Sequence, residues 1–398
     1  MVSSLYSGVS GIQQFQSQLD VIGNNIANSQ TYGFKGSSIQ FADVYAGSKI
    51  GQGVRVAGVL QNFANGTLET TGRNLDLGIN GGGFFRFKQG DQVVYSRNGQ
   101  LTLTQDGYLV NASGAKLTGF AAGVGTGGTP EALHVPSDAM SANPTTSVQA
   151  ALNLDASSPT INRATVPFDA TDANTYSYAN TGTTYDSLGV QHIMTTYFTK
   201  TAGNTWEVRV GMDGTFNPAN QGTLVFDPNG VLNAGASTLP NVTFTPAGGA
   251  APMNFTLGFN GTTQFGNDFA LSSLVQDGYT SGSLVGIRFD KNGDIVGSYS
   301  NEQTRTLGTI ALANFRNPEG LAPAGDNAWT ETGDSGQPLL GTAGAGQLGS
   351  LEDGTLESSN VDLATELVNL IIAQRNYQAN TQTIKTQDQV LQTVVNLR

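Results

Sequence analysis

The residues of this 398-residue chain that could do chemistry are few and poorly placed for it. Two histidines, His134 and His192, lie far apart, and neither has partners at the spacings a metal site or a Ser-His-Asp triad would use. There is no cysteine, which removes thiolate ligands, cysteine nucleophiles and disulfides together. Asp290-Lys291-Asn292-Gly293-Asp294 has the opening carboxylates of a calcium loop. Its glycine falls fourth instead of sixth, and no glutamate follows at the twelfth position. The same residues are better read as a hairpin turn around Asn292-Gly293. Gly123-Val124-Gly125-Thr126-Gly127-Gly128 resembles a phosphate cradle only in composition, because Pro130 follows and no strand-to-helix unit surrounds it. Carboxylates are sparse, and no pair is set out as acid and base. The expectation is no catalytic residue, no metal and no cofactor.

The elements that would have to position such groups point elsewhere. The length predicts two to four domains. Fifty-two glycines against 18 lysines and arginines suggest short strands joined by many tight turns. A net charge of −12 argues against nucleic acid and anionic membranes as partners. Met1-Val2-Ser3-Ser4-Leu5 lacks the basic and apolar regions of a secretory signal, and no segment approaches the roughly 20 apolar residues of a membrane span. If the protein is extracellular, its export would use no cleaved signal peptide and no direct membrane insertion.

Both ends read as helices. Leu5, Ile12, Leu19 and Ile26 recur every seventh residue, with Phe15 and Ile22 interleaved and Gly8 one heptad before Phe15. The opposite face is Ser, Gln and Asn. The pattern stops at Asn28, and Gly33 suits a chain reversal. At the other end Leu363, Leu370, Tyr377, Ile384 and Leu391 are again seven apart, and Leu367, Ile371, Val394 and Val395 widen the stripe. Asn360 is the expected N-cap of a helix starting at Val361, with Asp362 and Glu366 in its opening turns. The other seam position is polar, as Gln374, Thr381 and Asp388. Periodicity alone is served as well by two amphipathic helices packed on an ordinary core. Their position at the extreme ends, around a middle of opposite character, favours a split assembly module.

That middle, from about 40 to 355, reads as β. Asn98-Gly99, Asp106-Gly107, Asn229-Gly230, Asn292-Gly293 and Asp353-Gly354 punctuate short runs such as Gln92-Val93-Val94-Tyr95-Ser96. Composition shifts near 121–146 and again near Gln276. The expected fold is mainly β with terminal α-helices, as nested β-sandwich or barrel domains inserted between coiled-coil-like N- and C-terminal helices. The expected division is a helical assembly domain from 1–30 and 360–398, and a linker from 31–70 and 352–359. An inner β domain would take 71–146 and 276–351, with an outer one inserted at 147–275.

Ile22-Gly23-Asn24-Asn25-Ile26-Ala27-Asn28, followed by Thr31-Tyr32-Gly33-Phe34-Lys35, resembles the N-terminal signature of the bacterial flagellar rod and hook axial proteins. Ser359-Asn360-Val361-Asp362-Leu363 and Ile372-Ala373-Gln374-Arg375-Asn376-Tyr377-Gln378-Ala379-Asn380 resemble the matching C-terminal signature. Length, the large β insert and runs such as Leu312-Ala313-Asn314-Phe315 look like the hook branch of that family. The resemblance covers the ends and both flanks of the insert and is loosest over 147–275. It implies a subunit that polymerises with itself into a curved hollow tube, a universal joint passing motor torque from rod to filament. It further implies the distal rod protein, the hook cap, the hook–filament junction protein and the flagellar export apparatus as partners, and an extracellular place in the flagellum. Two alternatives stay open: a stiff distal-rod subunit, and an exported β-rich adhesin with Trp206 and Trp329 on a binding face. A hydrolase is a third for which no residue speaks.

Overall fold

The computed structural model describes residues 2–44, 53–124 and 127–396, with the side chains of 2–5, 391 and 394–396 outside the description. The chain forms two compact units: 1–137 with 286–298 and 304–398, and 138–285 with 299–303.

In the first unit, helix α1 (Val2–Ala27) packs along helix α2 (Leu363–Asn396). Gly8 faces Ile384, Gly11 faces Asn380 and Asn25 reaches Glu366, so the two run antiparallel. Asp362, not Asn360, caps α2: its side chain accepts from the Thr365 N–H at 2.9 Å and its carbonyl from Glu366. Strand β1 (Ser37–Asp43) pairs antiparallel with β2 (Val54–Gln61), and the pair rests on α1 through Phe41 against Phe15, ring centroids 6.4 Å apart.

Beyond that pair, the incoming and outgoing chains are joined by β pairing. Leu68–Thr70 pairs with Thr355–Glu357, and Leu77–Asn80 with Ser350–Asp353. Within 31–70 and 352–359 the described residues thus include one ladder, Leu68–Thr70 with Thr355–Glu357, whose hydrogen bonds cross between the two ends of the chain. The hairpin Phe84–Gln89 with Gln92–Ser96 follows where the alternating pattern predicts a strand. It packs an aromatic core of Phe84, Tyr95, Phe315 and Trp329, with Phe63 against it. Edge-to-face contacts such as Tyr95–Phe315 at 4.8 Å suit the ring quadrupoles. Asn98-Gly99 is not a hairpin turn. A Cβ on Gly99 would lie 1.9 Å from the Leu77 carbonyl oxygen, so glycine is needed for close backbone approach.

The second unit is a sandwich. A four-stranded antiparallel sheet (Tyr178–Tyr185, Gln191–Ala202, Thr205–Met212 and Thr215–Val225) faces a mixed five-stranded sheet centred on Ser147–Asp155. Alternate residues of both sheets fill one core, including Val148, Leu152, Phe198, Trp206, Val208, Phe255 and Leu257. Trp206 is fully buried and its indole N–H donates to Gln264 Oε1 at 2.7 Å. Trp329 of the first unit is also buried. Neither tryptophan presents the exposed face an adhesin reading requires.

Candidate assembly site

The helix pair is built around absent side chains. Gly8 and Gly11 are buried, and a Cβ on either would come within 3.0 Å of Ile384 or Asn380. Two glycines one turn apart let α2 approach the α1 backbone more closely than leucines would. The packed face of α1 centres on Gly8, Gly11, Ile22 and Asn25, with Ile12, Phe15, Leu19 and Ile26 half-buried at its sides. Gly8 and Ile22 are heptad positions, and Gly11 and Asn25, which the heptads leave out, join them at the centre of the seam. On α2, Ala373 is buried, and Leu370, Tyr377 and Ile384 are half-buried. Leu363, Leu367 and Ile371 turn outward at 45%, 44% and 50% exposure, so they do not pack on α1. Leu5 and Leu391 fall outside the described side chains.

The signature residues hold the base of this pair. Asn25 treats Ser37 as a strand neighbour would: its amide donates to the Ser37 carbonyl at 2.8 Å, and its oxygen accepts from the Ser37 N–H at 2.9 Å. Asn360 does the same between segments, accepting from Gly36 N–H and donating to the Asn62 and Ala64 carbonyls. Asn28 closes the end of α1 by donating to Asn24, main chain and side chain, at 3.0 Å. Val361 lies beside Gly36. Asn24 is exposed and accepts the Asn28 amide, while Ala27, Gln374 and Arg375 are exposed and no role in the lone chain accounts for them.

Past α1, Gly33 has φ +70°, and a Cβ there would lie 2.5 Å from the Asn98 amide nitrogen. Both the left-handed conformation and the backbone contact require glycine. Gly33→Ala is expected to destabilise the first unit by about 2–3 kcal/mol, read as a lowered urea midpoint at unchanged slope. The reversal sends Phe34 and Lys35 inward. Lys35 Nζ sits 2.7 Å from Glu357 Oε1 and donates to the Ala64 carbonyl. Arg97 Nε meets Glu357 Oε2 at 2.5 Å, and its guanidinium also donates to the carbonyls of Ile79, Gly81 and Gly83. All three side chains are at most 2% exposed. Burial alone would raise the Glu357 carboxyl, but the charge and hydrogen bond of Arg97, then those of Lys35, hold it below its ordinary value. Burial pulls the Lys35 ammonium down, with the charge and hydrogen bond of Glu357 opposing. Glu357 and Arg97 were not singled out in the sequence.

Asp290 and His192, both singled out for possible chemistry, make structural contacts. Asp290 accepts from the Asn292 and Asp294 N–H groups, closing a turn with Gly293 at φ +87°. Part of the glycine-rich run, 125–126, lies outside the described residues. His192, in the second unit, sits with Nδ1 2.6 Å from Asp213 and Nε2 3.3 Å from Asp186, a neighbour six residues upstream that sequence spacing overlooks. Burial lowers its pKa, but hydrogen bonds and charges of both carboxylates more than offset this and raise it above the ordinary 6.5. A raised folded pKa gives stability that is full below the unfolded value and is lost as pH rises through the folded one. The melting temperature of the second unit is therefore expected to fall as pH rises past 6.5 and through the raised folded value. His192→Gln should flatten that slope in calorimetry.

Comparison with known proteins names the class. Residues 5–35 match the family model "Flagella basal body rod protein", and 352–397 match "Flagellar basal body rod FlgEFG protein C-terminal". Between them, 78–162 match "Flagellar hook protein FlgE/F/G D1 domain" and 152–279 match "Flagellar basal body protein FlaE D2 domain". Paired end helices around nested β units, with these matches, define an axial protein of the bacterial flagellum.

Within that class, the flagellar hook protein FlgE of Escherichia coli K12 is 47% identical over 98% of both chains. That of Salmonella typhimurium is 46% identical over 99% of this chain and all of the other, and that of Borreliella burgdorferi 35% over the whole of both. The Helicobacter pylori hook protein FlgE2 structure shares the fold at TM-score 0.55, with 14% identity, covering 73% of this chain and all of that one. The chain belongs to the flagellar hook protein family and is a structural subunit of the hook. No helix among the described residues is long and apolar enough to cross a membrane.

Proposed function

We propose that the antiparallel helix pair is the polymerising module of this subunit, and that copies stack head to tail into a curved hollow tube. A rotation that does not close generates a helical polymer, and helix pairs packed side by side around its axis would leave a central channel. The observation that carries this reading is the apolar face of α2 left in water by the single chain, Leu363, Leu367 and Ile371. A lone helix pair gains nothing from that exposure, whereas burial between copies recovers about 25 cal/mol per Å².

As a universal joint, the tube must bend while passing torque. The braced base, with its buried ion pairs and inter-segment strands, suits the part that resists twist. Polar, glycine-rich β surfaces suit contacts that exchange with water as subunits shorten and lengthen around a bend. The work is mechanical, with no catalytic step. Axial partners are the distal rod protein, the hook cap and the junction protein, and delivery is through the flagellar export apparatus. Electron microscopy of purified full-length chain at rising concentration tests the reading. Curved tubes are expected. Straight tubes would indicate a rod subunit, and a chain that stays monomeric throughout would overturn self-assembly.

A further inference from the structure

Three features of the helix pair have no use within one chain. Arg375 is exposed on α2, four residues after Ile371 and seven after Val368, so it ends the outward face formed by Leu367, Val368, Ile371 and Ile372. Among the described residues it has no carboxylate in ion-pair range. Asp20 is the one charged residue of α1, exposed and likewise unpaired. Gly23, one turn further along the same outward face, meets nothing: a Cβ there would have no heavy atom within 4 Å. An interior helical glycine is destabilising relative to alanine. Gly8 and Gly11 repay that cost by admitting α2, but Gly23 admits nothing from its own chain.

We propose that Arg375 of one copy pairs with Asp20 of a second copy, the apolar end of α2 seating over the flat step that Gly23 leaves on α1. This rests on the assembly reading above and gives it a register. The occupant is a second copy because the two surfaces are complementary in charge and shape and sit on different helices of the same chain. Complementary patches on different faces of one molecule make a contact that repeats instead of closing. An arginine bounded by Leu367, Ile371 and Ile372 is the composition of an interface hot spot, since the apolar rim keeps water from the ion pair. Lys385, also exposed, has only Thr381, Gln382, Asp388 and Gln389 three and four residues away, so it lacks an apolar surround.

The test is a charge exchange in the full-length chain, with polymer measured by sedimentation and electron microscopy. Arg375→Glu and Asp20→Arg are each expected to raise the critical concentration for assembly by about tenfold or more. Asp20→Arg with Arg375→Glu, which restores opposite charges across the contact, should return it to near the wild-type value. Gly23→Leu should also block assembly while the thermal unfolding of the monomer stays unchanged or improves. Single variants that assemble normally would overturn the pairing. So would a double variant that fails while the wild-type chain polymerises, and that result leaves the assembly reading standing. A wild-type chain that never polymerises overturns both.

Discussion

Glu357→Ala is expected to lower the stability of the first unit by about 3–5 kcal/mol, because it leaves two cations buried with no counter-charge. Lys35 and Arg97 are both closed off from water and share this one carboxylate. Neither can relax outward cheaply. Lys35 is fixed by the Gly33 reversal, and Arg97 is tied to three main-chain carbonyls. The loss is penalty more than missing attraction. The two tryptophans make the measurement clean, since Trp329 lies in the first unit and Trp206 in the second. In a Trp206→Phe background, urea unfolding followed at Trp329 reports the first unit alone. An Ala variant within about 1 kcal/mol of wild type would mean that water reaches the site. The same carboxylate sets an acid limit. Its folded pKa lies below the ordinary value, so its contribution is present above about 4.5 and is lost as pH falls through the folded value.

The second large effect is expected on assembly, with the subunit's own fold spared. Leu367→Asp with Ile371→Asp should abolish polymerisation while the monomer melts within a few degrees of wild type. Both side chains are about half exposed in the single chain, so aspartates there stay solvated and cost little. Buried between copies, the same two carboxylates would be desolvated without partners, a penalty of several kcal/mol at every contact of the polymer. Leu19 and Leu370 are less informative positions. Each is half-buried in the helix pair, so a charge would loosen the subunit and the polymer together. Circular dichroism of the monomer beside electron microscopy of the assembly separates the two effects. Normal tubes from the double variant would show that this face stays in water.

Sequence alone determined what depends on near neighbours. Helix period, turn dipeptides and alternating runs are set by geometry over a few residues, so terminal helices around a β middle were legible. The paired end signatures pointed to the family for the same reason, each being a short run of consecutive residues. What depends on approach through space was decided only by the tertiary structure. Asn360 reads as a helix cap, yet its amide is spent on Gly36, Asn62 and Ala64, and Asp362 caps instead. The heptads put Gly8 at the seam among leucines and isoleucines but leave out Gly11, and the closest approach belongs to these two glycines, because helix separation is limited by the smallest side chains, not the greasiest. Lys35, Arg97 and Glu357 are scattered along the chain. Only the β pairing of its incoming and outgoing segments brings them into one dry site, where low dielectric makes an ordinary glutamate indispensable.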